Sequence, residues 1–88
     1  MEWYKFSFNE KELDDGIPVD ILEQIQNIVA KERKHISYSL VPIWYRSKTE
    51  DNIFYLKCVG WDIEKEIIHK YQGLPRNESD LPPLEEFY

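Results

Sequence analysis

One cysteine, two histidines and three glycines in 88 residues leave little material for several common chemistries. A lone Cys58 excludes an internal disulfide framework and fits a reducing compartment. His35 and His69 share no metal-ligand spacing with each other or with Cys58. Three glycines make no phosphate-cradling run. The stretch NEKELDDG at residues 9–16 lacks the alternating ligands and distal glutamate of a calcium loop. No apolar run approaches the ~20 residues that span a bilayer. The N-terminus lacks a basic-then-apolar secretory pattern, so the expected location is cytoplasmic. No catalytic constellation, metal site or cofactor is expected, and the chain reads as a non-enzyme.

What the chain does carry is acid and aromatic rings. Seventeen acids outnumber eleven bases, for a net charge of −6, and 15% of residues are aromatic. A chain this short forms one domain and buries only ~60–65% of its unfolded surface. Large rings compensate, because each removes ~150–250 Å² from water when buried.

Periodicity assigns five segments. Residues 2–8 alternate Tyr4, Phe6 and Phe8 with Trp3, Lys5 and Ser7, a strand with three rings on one face. Residues 18–34 repeat Ile21, Leu22, Ile25, Ile28 and Val29 at helical spacing, with Pro18 in the first turn and bases at the end. Residues 36–46 and 53–59 read as a strand hairpin around the polar SKTEDN turn. Residues 62–72 form a shorter helix with Ile63, Ile67 and Tyr71 on one face and Gly73 as its stop. Residues 74–88 carry three prolines and four acids, which disfavour a helix or a central strand.

The expected fold is α+β, in the order β-α-β-β-α. A three-stranded, mostly antiparallel sheet carries two helices on one face, and an extended acidic tail follows. Right-handed crossover makes the first two strands parallel, which puts the third between them. Pro42 suits an edge for the second strand. This is the ferredoxin-like strand order without its last strand, an analogy of architecture alone. Residues 1–73 form the domain, and residues 74–88 form a tail that packs on it or on a partner.

The hairpin admits two pairings, and a one-residue slip exchanges the faces. One groups Val41, Ile43 and Tyr45 with Phe54, Leu56 and Cys58 on a charge-free, helix-covered face. The other leaves a charge on each face, Arg46 with Phe54 and Lys57 with Tyr45. Burying an unpaired charge is costly, so the first pairing is expected. It leaves Trp3, Lys5, Leu40, Pro42, Trp44, Arg46, Ile53, Tyr55, Lys57 and Val59 on the opposite, open face.

An aromatic, cationic patch on an acidic protein points to an interaction surface. The tail itself could fill it, with Leu81, Leu84, Phe87 and Tyr88 on its apolar parts and Glu85 and Glu86 against its cations. The expected function is a non-catalytic protein-binding module of accessory, adaptor or inhibitor type. It would act through this face, the free edge of the first strand, or the tail, with self-association also open. The residues expected to bind are Trp3, Trp44, Arg46, Tyr55, Lys57, Leu84, Phe87 and Tyr88. The alternative is single-stranded nucleic acid stacking on the same rings. Net negative charge and the missing RNP1 pattern weigh against it.

Overall fold

The computed structural model describes residues 2–13, 16–33, 42–58 and 62–87. Strand β1 is Glu2–Ser7, helix α1 is Val19–Arg33, strand β2 is Ile43–Ser47 and strand β3 is Ile53–Cys58. Helix α2 (Lys65–Tyr71) follows, then strand β4 (Pro75–Arg76), a 3-10 turn at Glu78–Asp80, and strand β5 (Leu84–Glu86). The expected positions at residues 34–41, 59–61 and 88, including Leu40, Val41, Val59 and Tyr88, lie outside the described residues.

The sheet has five strands in the order β4-β1-β3-β2-β5, with every neighbouring pair antiparallel. This corrects the expected three-stranded sheet. The internal order β1-β3-β2 is as expected, and the α+β class stands. The tail is the difference, because it adds β4 outside β1 and β5 outside β2. Neither β1 nor β2 is therefore an open edge along its paired length. With β4 in place the ferredoxin-like order is complete, and β5 extends it. Proline at the start of β4 fits an edge position, where a missing N–H leaves no broken ladder.

The helix-covered core follows from two periodicities. Tyr4, Phe6, Phe54, Leu56 and Cys58 face Ile21, Ile25 and Val29 of α1 and Ile67 and Tyr71 of α2. Phe8 joins the strands to α2, with ring centroids 5.0 Å from Tyr71. Gly73 lies against Phe6, where a Cβ would come within 2.7 Å of a ring carbon, so only glycine fits the turn out of α2.

The hairpin pairing is the reverse of the one expected. Trp44 stands opposite Leu56, and Arg46 opposite Phe54. Trp44 is therefore in the helix-covered core at 4% exposure, 5.3 Å from Phe6, while Tyr45 faces the other way. The charge argument failed because it treated each face as uniformly buried. Arg46 sits near the end of its strand with half its side chain in solvent, and Glu85 of β5 neutralises it. Among the described residues no unpaired charge is buried, so the large indole decides the pairing.

The face away from the helices is not open either. Residue Arg76 of β4 stands opposite Trp3, and Leu84 of β5 opposite Ser47, so the intervening chain must cross the sheet diagonally. Four strand spacings across and four residues along make that diagonal ~23 Å. Eight residue steps reach at most ~26–28 Å, and the 3-10 turn at Glu78–Asp80 shortens that further. The segment 77–83 therefore lies directly on the sheet as a strap. Its face follows from handedness, since right-handed crossovers place α1 and α2 on one side and this connection on the other. Consistent with that cover, Trp3 and Tyr55 are 5% and 2% exposed though they lie outside the helix-covered core cluster.

Among the described residues, no helix is long and apolar enough to cross a membrane.

Candidate functional site

The five residues expected on one open sheet face divide between two faces, and the three expected in the tail fall elsewhere. Trp3, Tyr55 and Lys57 stand on the strapped face, by the register of β1 with β3. Trp44 and Arg46 stand on the helix side, with Phe87 packed against Phe54 at 4.8 Å between ring centroids. Leu84 is half-buried in β5, and Tyr88 lies outside the described residues. The structure therefore does not assemble the expected open face.

Two sites emerge instead. The first is the end of the sheet where β5, the β2–β3 turn and the loop after β1 meet around a groove of about 580 Å³. Its apolar lining includes Leu13, Phe54 and Phe87, and its charged lining includes Arg46, Lys48 and Glu85. Arg46 donates from Nε (2.8 Å) and from Nη2 to the same carboxylate oxygen of Glu85. Ser47 shapes the turn: its hydroxyl oxygen accepts from the N–H groups of Thr49 (3.3 Å) and Glu50 (3.1 Å). Asn52, in the left-handed region at φ 62°, completes the turn back into β3.

Strand β5 borders this groove and forms one edge of the sheet. Phe87 donates its N–H to the Trp44 carbonyl (2.8 Å), and Lys48 donates to the Pro83 carbonyl (3.0 Å). In an antiparallel ladder alternate residues turn their backbone groups toward the partner. The N–H and C=O of Leu84 and Glu86 therefore point away from β2, along the outer edge. Such groups are a template for one further strand.

The second site is the strapped face. Trp3 packs against Tyr45 at 5.1 Å between centroids, and the Lys57 ammonium lies 5.8 Å from the Trp3 ring centroid. The indole Nε1 of Trp3 is buried, with no hydrogen-bond acceptor among the described residues. An unmet buried donor of this kind costs ~1–3 kcal/mol. Burial pushes the Tyr55 hydroxyl pKa up, with Glu50 adding to the rise and Arg76 opposing it. Lys5 reaches Glu50 at 4.0 Å, at the edge of ion-pair range.

Cys58 lies in the core as expected, 1% exposed. His69 is solvent-exposed on α2, and His35 lies outside the described residues. Among the described residues no three His, Cys, Asp or Glu side chains converge in a geometry that could hold a metal ion.

Neither site was visible in the sequence as such. Two- and three-residue strands carry no periodicity, so the tail gave no sign that it would border a groove. The one signal was the spacing between Arg76 and Leu84, long enough to cross a sheet.

No family model matches the chain, and no curated protein or solved structure matches it. The functional reading rests on the geometry described above.

Proposed function

We propose that the chain is a non-catalytic protein-binding module that takes up an extended segment of another protein along the outer edge of β5, beside the groove. The observation that carries this reading is the direction of the Leu84 and Glu86 backbone groups, set by the ladder bonds of Phe87 and Lys48. Main-chain bonds along the edge would supply affinity. The groove would supply a pocket for an alternate side chain of the incoming strand. A cytoplasmic location accords with a chain that holds a single cysteine, Cys58.

The partner is a different chain rather than a second copy at this edge. A two-fold antiparallel pairing centred on Glu85 or Glu86 sets like charges opposite each other. Centred on Leu84, it sets Glu86 opposite Pro82, which has no N–H to donate. Nucleic-acid stacking is the weaker reading, because Trp3 and Tyr55 are 5% and 2% exposed. Bases stack only on rings they can reach.

Glu86→Pro tests the edge without touching the β2–β5 ladder, because the N–H it removes points outward. Capture from native lysate is compared for the wild type and this variant, alongside thermal unfolding of both. Loss of a specific partner with an unchanged unfolding midpoint supports strand addition. Retention of the partner overturns it.

A further inference from the structure

Among the described residues, the strapped face carries one buried donor without an acceptor, the Trp3 indole, with a cation on either side of it in the strand register. Arg76 stands directly opposite Trp3 across β4 and β1, and Trp3 directly opposite Lys57 across β1 and β3. Directly opposed residues share a face, so these side chains stand beside one another at strand spacings of ~4.8 Å. In the middle is the sealed Trp3 Nε1, a donor with no acceptor. On one side Lys57 holds its ammonium over the indole ring rather than against a carboxylate. On the other is Arg76, an exposed residue of β4.

Ion pairs among the described residues join Lys5 to Glu50, Arg46 to Glu85 and Lys70 to Asp20. Neither Arg76 nor Lys57 belongs to one. Buried donors in native proteins find acceptors, and one that does not calls for an explanation such as an absent ion.

We propose that Arg76, Trp3 Nε1 and Lys57 form an oxyanion site for a phosphoryl group, covered by the 77–83 strap. Two positive charges match a doubly charged tetrahedral anion, and the indole N–H supplies a directional bond to one of its oxygens. Arginine and lysine are the side chains suited to phosphate, the first as a planar fork and the second as a point charge. Access requires the strap to lift and β5 to release, because the strap has little length to spare over the diagonal. Its hydrogen bonds between residues 77 and 82 are internal, from Asp80 N–H to Asn77 O (3.0 Å) and from Leu81 N–H to Glu78 O (3.3 Å). The strap is pinned to the sheet only at its two ends, by β4 and β5. This site lies on the opposite face from the groove and does not depend on the reading of the β5 edge.

The test is a titration of the intact, nitrogen-15-labelled chain with inorganic phosphate at constant ionic strength. The readout is the indole N–H resonances of its three tryptophans, with that of Trp3 identified by Trp3→Phe. The Trp3 resonance is expected to shift and saturate while that of core Trp44 stays in place. Arg76→Gln and Lys57→Gln should each raise the half-saturating concentration by about tenfold, the scale of one lost charge-assisted bond. Each variant must keep the wild-type Trp44 resonance, which shows that it is folded. Acetate, with one charge, should need about tenfold more than phosphate. O-phosphoserine run in parallel separates a phosphomonoester ligand from free phosphate by which saturates first. An unmoved Trp3 resonance, a drift equal to that in sodium chloride, equal saturation by acetate, or unchanged titration of both variants overturns the proposal.

Discussion

Trp44 shows how one side chain can settle the pairing of a whole hairpin. A buried indole removes on the order of 150–250 Å² from water, more than any aliphatic candidate at the same position. Its neighbours in the strand, Ile43 and Tyr45, are half-buried on the other face. Trp44→Ala should therefore cost about 3–5 kcal/mol, whereas Tyr45→Ala, which loses mainly its packing on Trp3, should cost about 1 kcal/mol. Urea unfolding of both variants measures the difference, and equal losses would restore the opposite pairing. The sequence alone misjudged this site because it weighed Arg46 as a charge to be buried. Arg46 reaches solvent and Glu85, and that carboxylate lies 39 positions away in the chain. A partner so distant has no local signature.

At the scale of elements, β1, α1 and α2 were legible because each buries one continuous face and so repeats its apolar residues at its own period. Strands β4 and β5 were not, since edge strands of two and three residues repeat nothing. The two helices are also joined by a clamp that no periodicity reports. Lys70 donates to Oδ2 of Asp20 at 2.6 Å, and the Tyr71 hydroxyl donates to Oδ1 of the same carboxylate at 3.0 Å. The Lys70 hydrogen bond is the largest reason that Asp20 titrates below its ordinary 3.8. The same bond raises Lys70 above its ordinary 10.5. A lowered carboxyl pKa contributes stability that is complete above the unfolded value and fades as pH falls through the folded one. A raised lysine pKa contributes below its unfolded value and fades as pH rises through the folded one. The clamp is thus fully effective between pH 3.8 and 10.5. Asp20→Asn should lower the unfolding midpoint inside that window and flatten its fall below pH 3.8. A parallel acid limb in wild type and variant would show that the clamp contributes nothing.

For the whole molecule, the C-terminal segment acts as a frame, adding a strand outside β1 and another outside β2 and covering one face. Its length is close to the minimum that the diagonal allows. Deleting Ser79 and Asp80 leaves six steps, which reach ~20–21 Å and fall short of the ~23 Å required. Strand β5 must then detach, baring Trp3 and Tyr55. A red-shifted tryptophan emission and a loss of about 2–4 kcal/mol are expected, the scale of re-exposing two ring side chains. Inserting two glycines after Ser79 lengthens the strap and should cost under about 1 kcal/mol. Equal tolerance of both changes, read by emission maximum and urea midpoint, would mean that the strap does not cross the sheet.

The same frame has a consequence for the chain as it is being synthesised. Strand β1 is made well before its outer neighbour β4, which lies more than seventy positions downstream, and β5 comes later still. Until those residues leave the ribosome, the nascent sheet has both edges unpaired and one aromatic face bare. That is the state in which chains stick to one another. Slow synthesis of residues 75–86 would prolong the exposure, and a chaperone that shields strand edges would have its greatest effect in that interval.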